Sequence, residues 1–212
     1  VCMGASISLG HGAQQVFDTI EGNKMRVVSV IGDSTFFHTG INSLLDVAYN
    51  KSNLVTVVLD NRITAMTGQQ DNPGTGRTIH GEVTEAVSIE AIVRAFGFKN
   101  VRVIDPNQLS EVKEALDWAL TLQEPSVIIT RWPCALKKQT ALDKEEFKGS
   151  FTSVYWVNEE ICIGCKKCTR TGCPAIVFQV AKKKSSIDPE KCVGCSVCAQ
   201  VCPVHAIQKV EA

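Results

Sequence analysis

The sequence predicts an α/β chain: a mostly parallel sheet with helices on both faces over residues 1–135, a linker over 136–156, and a small cysteine-rich module over 157–212. Three observations predict it. Short apolar runs alternate with helical stripes through the first 135 residues. The stretch 136–156 turns polar and charged. Eight of the ten cysteines fall between Cys162 and Cys202.

The elements follow in chain order. Met25–Ile31, MRVVSVI, is apolar enough for a strand covered on both faces. Ile41, Leu44, Leu45 and Ala48 recur at the spacing of one helix face. Leu54–Leu59, LVTVVL, is a second buried strand. Ile89, Ile92, Val93 and Phe96 repeat the helical stripe, and Val101–Ile104 is a short strand. Leu109, Val112, Leu116 and Ala119 mark a helix opened by the turn DPNQLS. Ser126–Thr130, SVIIT, is a fourth strand. LKKQTALDKEEFKGSFTS is weakly periodic and is expected to be a linker holding one helical turn.

A formal net charge of zero argues against a nucleic-acid or membrane-surface partner. No apolar run approaches the ~20 residues that cross a bilayer. The start, VCMGASISLG, lacks the charged region and long apolar core of a signal peptide, and it lacks an initiator Met. The expectation is one piece of a longer chain. Tight C-x-x-C-x-x-C runs favour metal over disulfides, hence a reducing, cytoplasmic compartment.

The cysteines fall as Cys162-x2-Cys165-x2-Cys168-x4-Cys173-Pro174 and Cys192-x2-Cys195-x2-Cys198-x3-Cys202-Pro203. Three cysteines at this spacing wrap three corners of an iron–sulfur cubane, and the fourth ligates the other cluster in bacterial two-cluster ferredoxins. CPAIVF, SIDPEKCVGC and CPVHAI resemble the bacterial 2[4Fe–4S] ferredoxin family over about residues 157–210. The resemblance implies a small α+β fold with two [4Fe–4S] clusters. One takes Cys162, Cys165, Cys168 and Cys202; the other takes Cys192, Cys195, Cys198 and Cys173. One extra residue before Cys173 departs from the family spacing and puts that corner in question. A pair of structural zinc sites is the alternative, although zinc does not need a third C-x-x-C step. Lys182–Lys184 are expected to be a solvated hairpin tip ahead of a docking patch for an acidic ferredoxin.

Strand Met25–Ile31 runs into Gly32-Asp33-Ser34-Thr35, and the next strand ends in Asp60-Asn61, with 25 residues between Ser34 and Asp60. Ligands of open parallel sheets sit at these carboxyl ends, and free N–H groups at a helix start bind phosphate. GDS…DN resembles the thiamine diphosphate motif. That resemblance implies Mg²⁺ on Asp33, the Asn61 side chain and the Ile63 carbonyl, with Gly32, Ser34 and Thr35 at the diphosphate. Ser34 replaces the motif's second glycine and is expected to need a tolerant backbone angle. Asp60 replaces its first asparagine and is not expected to be a ligand. CMGAS resembles the turn beneath the cofactor rings in acetolactate-synthase-like enzymes, which makes Met3 and Gly4 candidates.

A thiamine domain joined to a ferredoxin module resembles the 2-oxoacid:ferredoxin oxidoreductases. Within them, the run from Gly32 to Gly76 looks closest to the large (alpha) subunits of indolepyruvate:ferredoxin oxidoreductases. The resemblance implies oxidative decarboxylation of an aryl 2-oxo acid to its acyl-coenzyme A, with electrons passed to ferredoxin. It also implies a second (beta) subunit, and an upstream domain of the same subunit that supplies the activating Glu. The isolated chain is then expected to be inactive. Met66 is expected to give an apolar wall suited to an aryl substrate, with Thr67, Gly68 and Gln69 lining the same pocket. His38 and Thr67 are the candidate catalytic residues, His38 toward the substrate carboxylate. Pyruvate or another 2-oxo acid, and a non-catalytic electron-transfer protein, stay open as alternatives.

Overall fold

The computed structural model describes residues 2–148 and 151–210. The chain forms two compact units that part after Lys137.

The first unit runs α1 (Ala5–Asp18), β1 (Val28–Gly32), α2 (Asp33–Thr35), a π-helical turn (Phe36–Gly40), α3 (Ile41–Tyr49), β2 (Val55–Asp60), a 3-10 turn (Pro73–Thr75), α4 (Ile89–Ala95), β3 (Asn100–Ile104), α5 (Leu109–Thr121) and β4 (Ser126–Arg131). Its four strands are parallel in the order β1-β2-β4-β3. The register sets Gly32 beside Leu59 and Asp60 beside Arg131, so the ends of β1, β2 and β4 lie side by side.

One sheet face is closed by Ile7, Phe36, Leu44, Val47 and Val93 over Ile31, Leu54, Val58, Val127 and Ile129. On the other face Ala115 and Ala119 of α5 pack on Val55, Val57 and Ile128. Helices therefore lie on both faces, as expected, but α5 covers only part of its side. Val28, Val30 and Leu59 stay 39%, 49% and 46% exposed along an apolar trough of about 390 Å³.

Two contacts hold α1 tightly to β1. Gly10 leaves room for Ser29, whose Oγ would stand 2.0 Å from any added Cβ and instead donates to Ser6 O at 2.8 Å. The fully buried Gln14 donates to Asp18 and accepts from Val27 N, both at 2.7 Å, so its amide is satisfied without water. Val27 thereby spends its N–H on a side chain, and the strand starts at Val28 rather than at Met25.

Within the expected linker lies α6 (Ala141–Glu146), longer than one turn because Thr140 and Asp143 form a reciprocal capping box. The second unit then pairs β5 (Tyr155–Val157) with β8 (Ile207–Lys209), and β6 (Ile176–Gln179) with β7 (Lys184–Ile187), both antiparallel. A 3-10 turn (Cys168–Thr171) and α7 (Val197–Gln200) carry the third cysteine of each set.

The two halves of this unit repeat in backbone detail. Asn158 O accepts from Cys162 N and its side chain from Glu160 N; Asp188 O accepts from Cys192 N and its side chain from Glu190 N. Gly164 and Gly194 take φ 68° and 71°, and the residues two further on, Lys166 and Ser196, take 61° and 64°. A Cβ on Gly164 would stand 2.2 Å from Lys183 O, and one on Gly194 would stand 2.3 Å from Ser153 O.

Backbone carbonyls cannot rotate away from such an intrusion. Gly164→Ala and Gly194→Ala are each expected to destabilise the module by more than about 2 kcal/mol and to lower its iron content. Gly172→Ala, also at positive φ (71°) but facing open space, is the control. It is expected to cost about 1 kcal/mol and to keep its iron, read by thermal unfolding and iron analysis.

Candidate functional site

The first site lies where β1 and β2 end. Gly32 closes β1 with open space on its Cβ side, so a ligand can approach its backbone. Asp33, only 3% exposed, opens α2. Its Oδ1 accepts from Ser34 N at 2.8 Å and its Oδ2 from Asn72 Nδ2 at 3.2 Å. Burial pushes the Asp33 carboxyl up to about 6, against the pull of hydrogen bonds from Ser34, Asn72 and the Ile63 N–H; nearby Asp60 adds to the push. Asn61 Oδ1 also accepts from Ile63 N, at 3.1 Å. The structure thus brings Asp33, Asn61 and Ile63 together. A buried carboxylate beside an amide oxygen suits a hard divalent cation, which would relieve the burial that raises Asp33.

Ser34 is 8% exposed and accepts a 2.8 Å bond from the Thr64 hydroxyl, tying the start of α2 to the loop after β2. It sits in a helical turn and is absent from the positive-φ residues, so the tolerant angle expected for it is not needed. Thr35 is half-buried, and its carbonyl lies 3.2 Å from Thr39 Oγ1. The same hydroxyl lies 3.3 Å from Met3 O. Gly4 (φ 87°) permits this contact, since a Cβ there would meet Thr39 Oγ1 at 2.0 Å. The Met3–Gly4 turn is therefore seated beside α2, with the Met3 side chain largely exposed.

His38 is exposed on the π-helical turn, a local irregularity that often marks functional positions. The loop 64–70 is closed by a Thr64–Gln70 bridge. Within it the Thr67 hydroxyl bonds Gln70 at 2.6 Å, Gly68 takes φ 121°, and Gln69 (φ 63°) donates to Leu136 O at 3.1 Å. Met66, in the same loop, is fully exposed.

Sequence reasoning missed two supports. Asn72, 6% exposed, donates to Asp33 while its Oδ1 caps Gly74 N at 2.9 Å. Its signal was the Asn72-Pro73 pair, a capping residue before the proline of a first turn. Asp60, set aside as a ligand, accepts from Arg131 Nε at 2.8 Å and lies 3.4 Å from Arg62 Nε. The backbone of the same segment is tied down by Trp132 N on Asp60 O and Cys134 N on Asn61 O. Arg131 ends β4 and Trp132 and Cys134 follow it, all far from Asp60 in sequence.

The thiols form the second site. Burial, then Cys195, Cys173 and Cys192, push the Cys198 thiol up to about 12. Cys173 therefore lies electrostatically with the later set, not the one it follows in sequence. Tyr155 N donates to Cys192 Sγ at 3.4 Å. Cys162 and Cys168 are buried in the module's apolar core, with Cys202 packed against it, and Cys165 is exposed. Cys168 Sγ lies 3.3 Å from Ser185 Oγ, and Ala206 N donates to Cys202 Sγ at 3.3 Å. Among the described residues no three Cys, His, Asp or Glu close on a single ion. Thiols clustered in an apolar setting, with backbone N–H groups turned on sulfur, fit an iron–sulfur group whose positive iron ionises them.

Known proteins resemble both parts of the chain. Residues 1–130 match the family described as thiamine pyrophosphate enzyme, C-terminal TPP binding domain, and residues 155–209 match a 4Fe-4S dicluster domain. Indolepyruvate oxidoreductase subunit IorA of Pyrococcus horikoshii is 44% identical over 220 residues, covering all of this chain and 33% of the relative. The subunits of Thermococcus kodakarensis and Archaeoglobus fulgidus are 42% and 40% identical, covering 33% and 32% of their lengths. The chain thus spans about a third of the curated relatives it matches. The 2-oxoglutarate:ferredoxin oxidoreductase of Magnetococcus marinus superposes with a TM-score of 0.56 at 16% identity, over 68% of this chain and 50% of that one, a likeness of fold. The chain belongs to the thiamine pyrophosphate enzymes, through their C-terminal TPP-binding domain, and carries an iron–sulfur dicluster module behind it.

Proposed function

We propose that the chain forms the thiamine-binding and electron-relaying part of a 2-oxo-acid oxidoreductase acting on an aryl 2-oxo acid such as indolepyruvate. The observation that carries this reading is the likeness of the whole chain, both sites included, to indolepyruvate oxidoreductase subunits. The domains are residues 1–135 and 157–212, joined by 136–156. Bound thiamine diphosphate would supply a carbanion for the 2-oxo carbonyl and an electron sink as CO₂ leaves.

In this reading Asp33, Asn61 and the Ile63 carbonyl hold Mg²⁺, and Asn72 orients Asp33. Gly32, Ser34 and Thr35 present N–H and hydroxyl groups to the diphosphate. Met3, Gly4, Gly68 and Gln69 border the cofactor, while His38 and Thr67 face the substrate. Cys162, Cys165, Cys168 and Cys202 hold one [4Fe–4S] cluster; Cys192, Cys195, Cys198 and Cys173 hold the other. The crossed fourth ligands keep the clusters close enough to pass electrons singly. Coenzyme A takes the acyl group and ferredoxin the electrons. A beta subunit and an upstream domain bearing the activating Glu complete the enzyme, in the cytoplasm.

The whole enzyme, assayed with a viologen dye and coenzyme A, is expected to oxidise indolepyruvate with a kcat/KM at least about tenfold above pyruvate or 2-oxoglutarate. Preference for either of the latter would overturn the substrate.

Asp33 gives a pH test of the metal site. Its carboxyl is raised from 3.8 to about 6 in the folded chain. The stabilising contribution of the neutral form is therefore complete below 3.8 and is lost as pH rises through about 6. In metal-free protein this loss is on the order of 2–3 kcal/mol. Asp33→Asn is expected to remove that part of the slope in unfolding titrations and to abolish Mg²⁺-dependent thiamine diphosphate binding in calorimetry. Asn72→Ala is expected to weaken the same binding about tenfold and leave the iron content unchanged.

A further inference from the structure

We propose that the loop Cys162–Cys168, together with the β6–β7 hairpin, is the face on which a small acidic redox protein docks, so that electrons leave from the iron–sulfur centre held by this loop. The inference rests on the electron-relay reading above and adds to it a direction and a surface.

The two cysteine loops share a backbone but not a charge. Between Cys165 and Cys168 stand Lys166 and Lys167, with Arg170 just beyond; between Cys195 and Cys198 stand Ser196 and Val197. The whole segment Cys192–Cys202 holds no charged residue. Lys166 and Ser196 occupy the same left-handed position, so the fold does not call for a cation there.

The charges of the first half are gathered onto one surface. Lys166 Nζ lies 4.3 Å over the Phe178 ring of β6. Gly164 packs directly on the Lys183 backbone at the tip of the hairpin. Lys184 Nζ bonds the Cys162 carbonyl. Lys182 pairs with Glu159 at 2.8 Å. Six cations thus stand in the loop, just beyond it and on the adjoining hairpin, against two carboxylates, Glu159 and Glu160. Lys167, Arg170 and Lys183 are exposed and have no acidic partner among the described residues.

In this loop Ile163 is 63% exposed and Cys165 is exposed, whereas Val193 is 37% exposed and Cys195 half-buried in the second loop. An exposed apolar residue in a loop rich in cations, with a thiol at the surface, suits a transient electron-transfer contact. A cationic surface selects an anionic partner and speeds its encounter. Each encounter moves one electron, oxidising the centre in this chain and reducing the centre of the partner.

The test uses the whole two-subunit enzyme, reduced with dithionite so that no substrate turnover is needed, and mixed by stopped flow with an oxidised, acidic 2[4Fe–4S] ferredoxin. The combined variant Lys167→Gln, Arg170→Gln and Lys183→Gln is expected to lower the second-order rate about tenfold and to flatten its fall with salt. Its rate with a neutral dye is expected to stay within about twofold of the parent. Lys183→Glu, on the hairpin outside the cysteine loop, keeps the test open should the combined variant lose iron, and is expected to slow ferredoxin about threefold. Lys191→Gln, beside the second loop, is expected to change nothing. Ferredoxin rates unaffected by either variant, or a larger loss from Lys191→Gln, would overturn the docking face. So would a loss confined to binding of anionic lipid vesicles. If the enzyme fails to oxidise 2-oxo acids while these ferredoxin rates respond as stated, the substrate reading falls and the docking face stands.

Discussion

The first unit depends on one carboxylate held where carboxylates are least stable. Asp33 is 3% exposed at the start of a helix, and burial alone would favour its neutral form. What keeps the site in shape is the set of donors gathered around it. Ser34 N comes from its own turn, Asn72 Nδ2 from a distant loop, and Ile63 N–H from the end of β2. Each arrives by a different route of the chain, so the loop after β2, the Asn72 turn and the start of α2 are fixed together. The parallel register of β1, β2 and β4 brings the routes to one place. Asp60 steadies the arrangement from below through Arg131, and this explains how an aspartate serves where the motif has asparagine.

The second unit solves a different problem. Eight thiols must be spaced around clusters by a chain of fewer than sixty residues. The solution is duplication: the same Asx turn, the same left-handed glycine and the same left-handed residue after the second cysteine. The extra residue before Cys173 is absorbed in the 3-10 turn Cys168–Thr171, which ends on Gly172 at φ 71°. That turn lets Cys173 reach the Cys198 neighbourhood despite its longer spacer.

Period and composition made the strands, the helical stripes and the two-part division legible, because burial on a sheet or helix writes itself into local sequence. The meeting of Asp33, Asn61 and Ile63 was legible for the same reason: a motif at two strand ends is local at each end. Asn72, Arg131 and the Asp60 clamp were not, since their partners lie 39 and 71 residues away and no local pattern encodes such a pairing. The exposure of Met66 was not legible either, because side-chain chemistry suggests what a pocket wall needs but says nothing of how its loop closes. The uncovered part of the sheet was also hidden. Apolar strands announce that both faces want cover, but not which helix supplies it, and α5 leaves Val28 and Val30 of β1 exposed.

The two units place opposite demands on charge, and this links the structure to electron flow. At the strand ends a negative group is buried, and in the function proposed above it meets a cation that in turn holds an anionic diphosphate. In the cysteine module the cations stand outside, in and beside the loop of an exposed thiol, where solvent weakens their mutual repulsion. The first arrangement favours tight, lasting occupancy by a small ligand. The second favours quick, weak and repeated encounter, because exposed charges steer association more than they prolong it. A reaction that holds one cofactor throughout and releases its electrons singly needs both kinds of electrostatics, and this sequence distributes them to opposite ends of the chain.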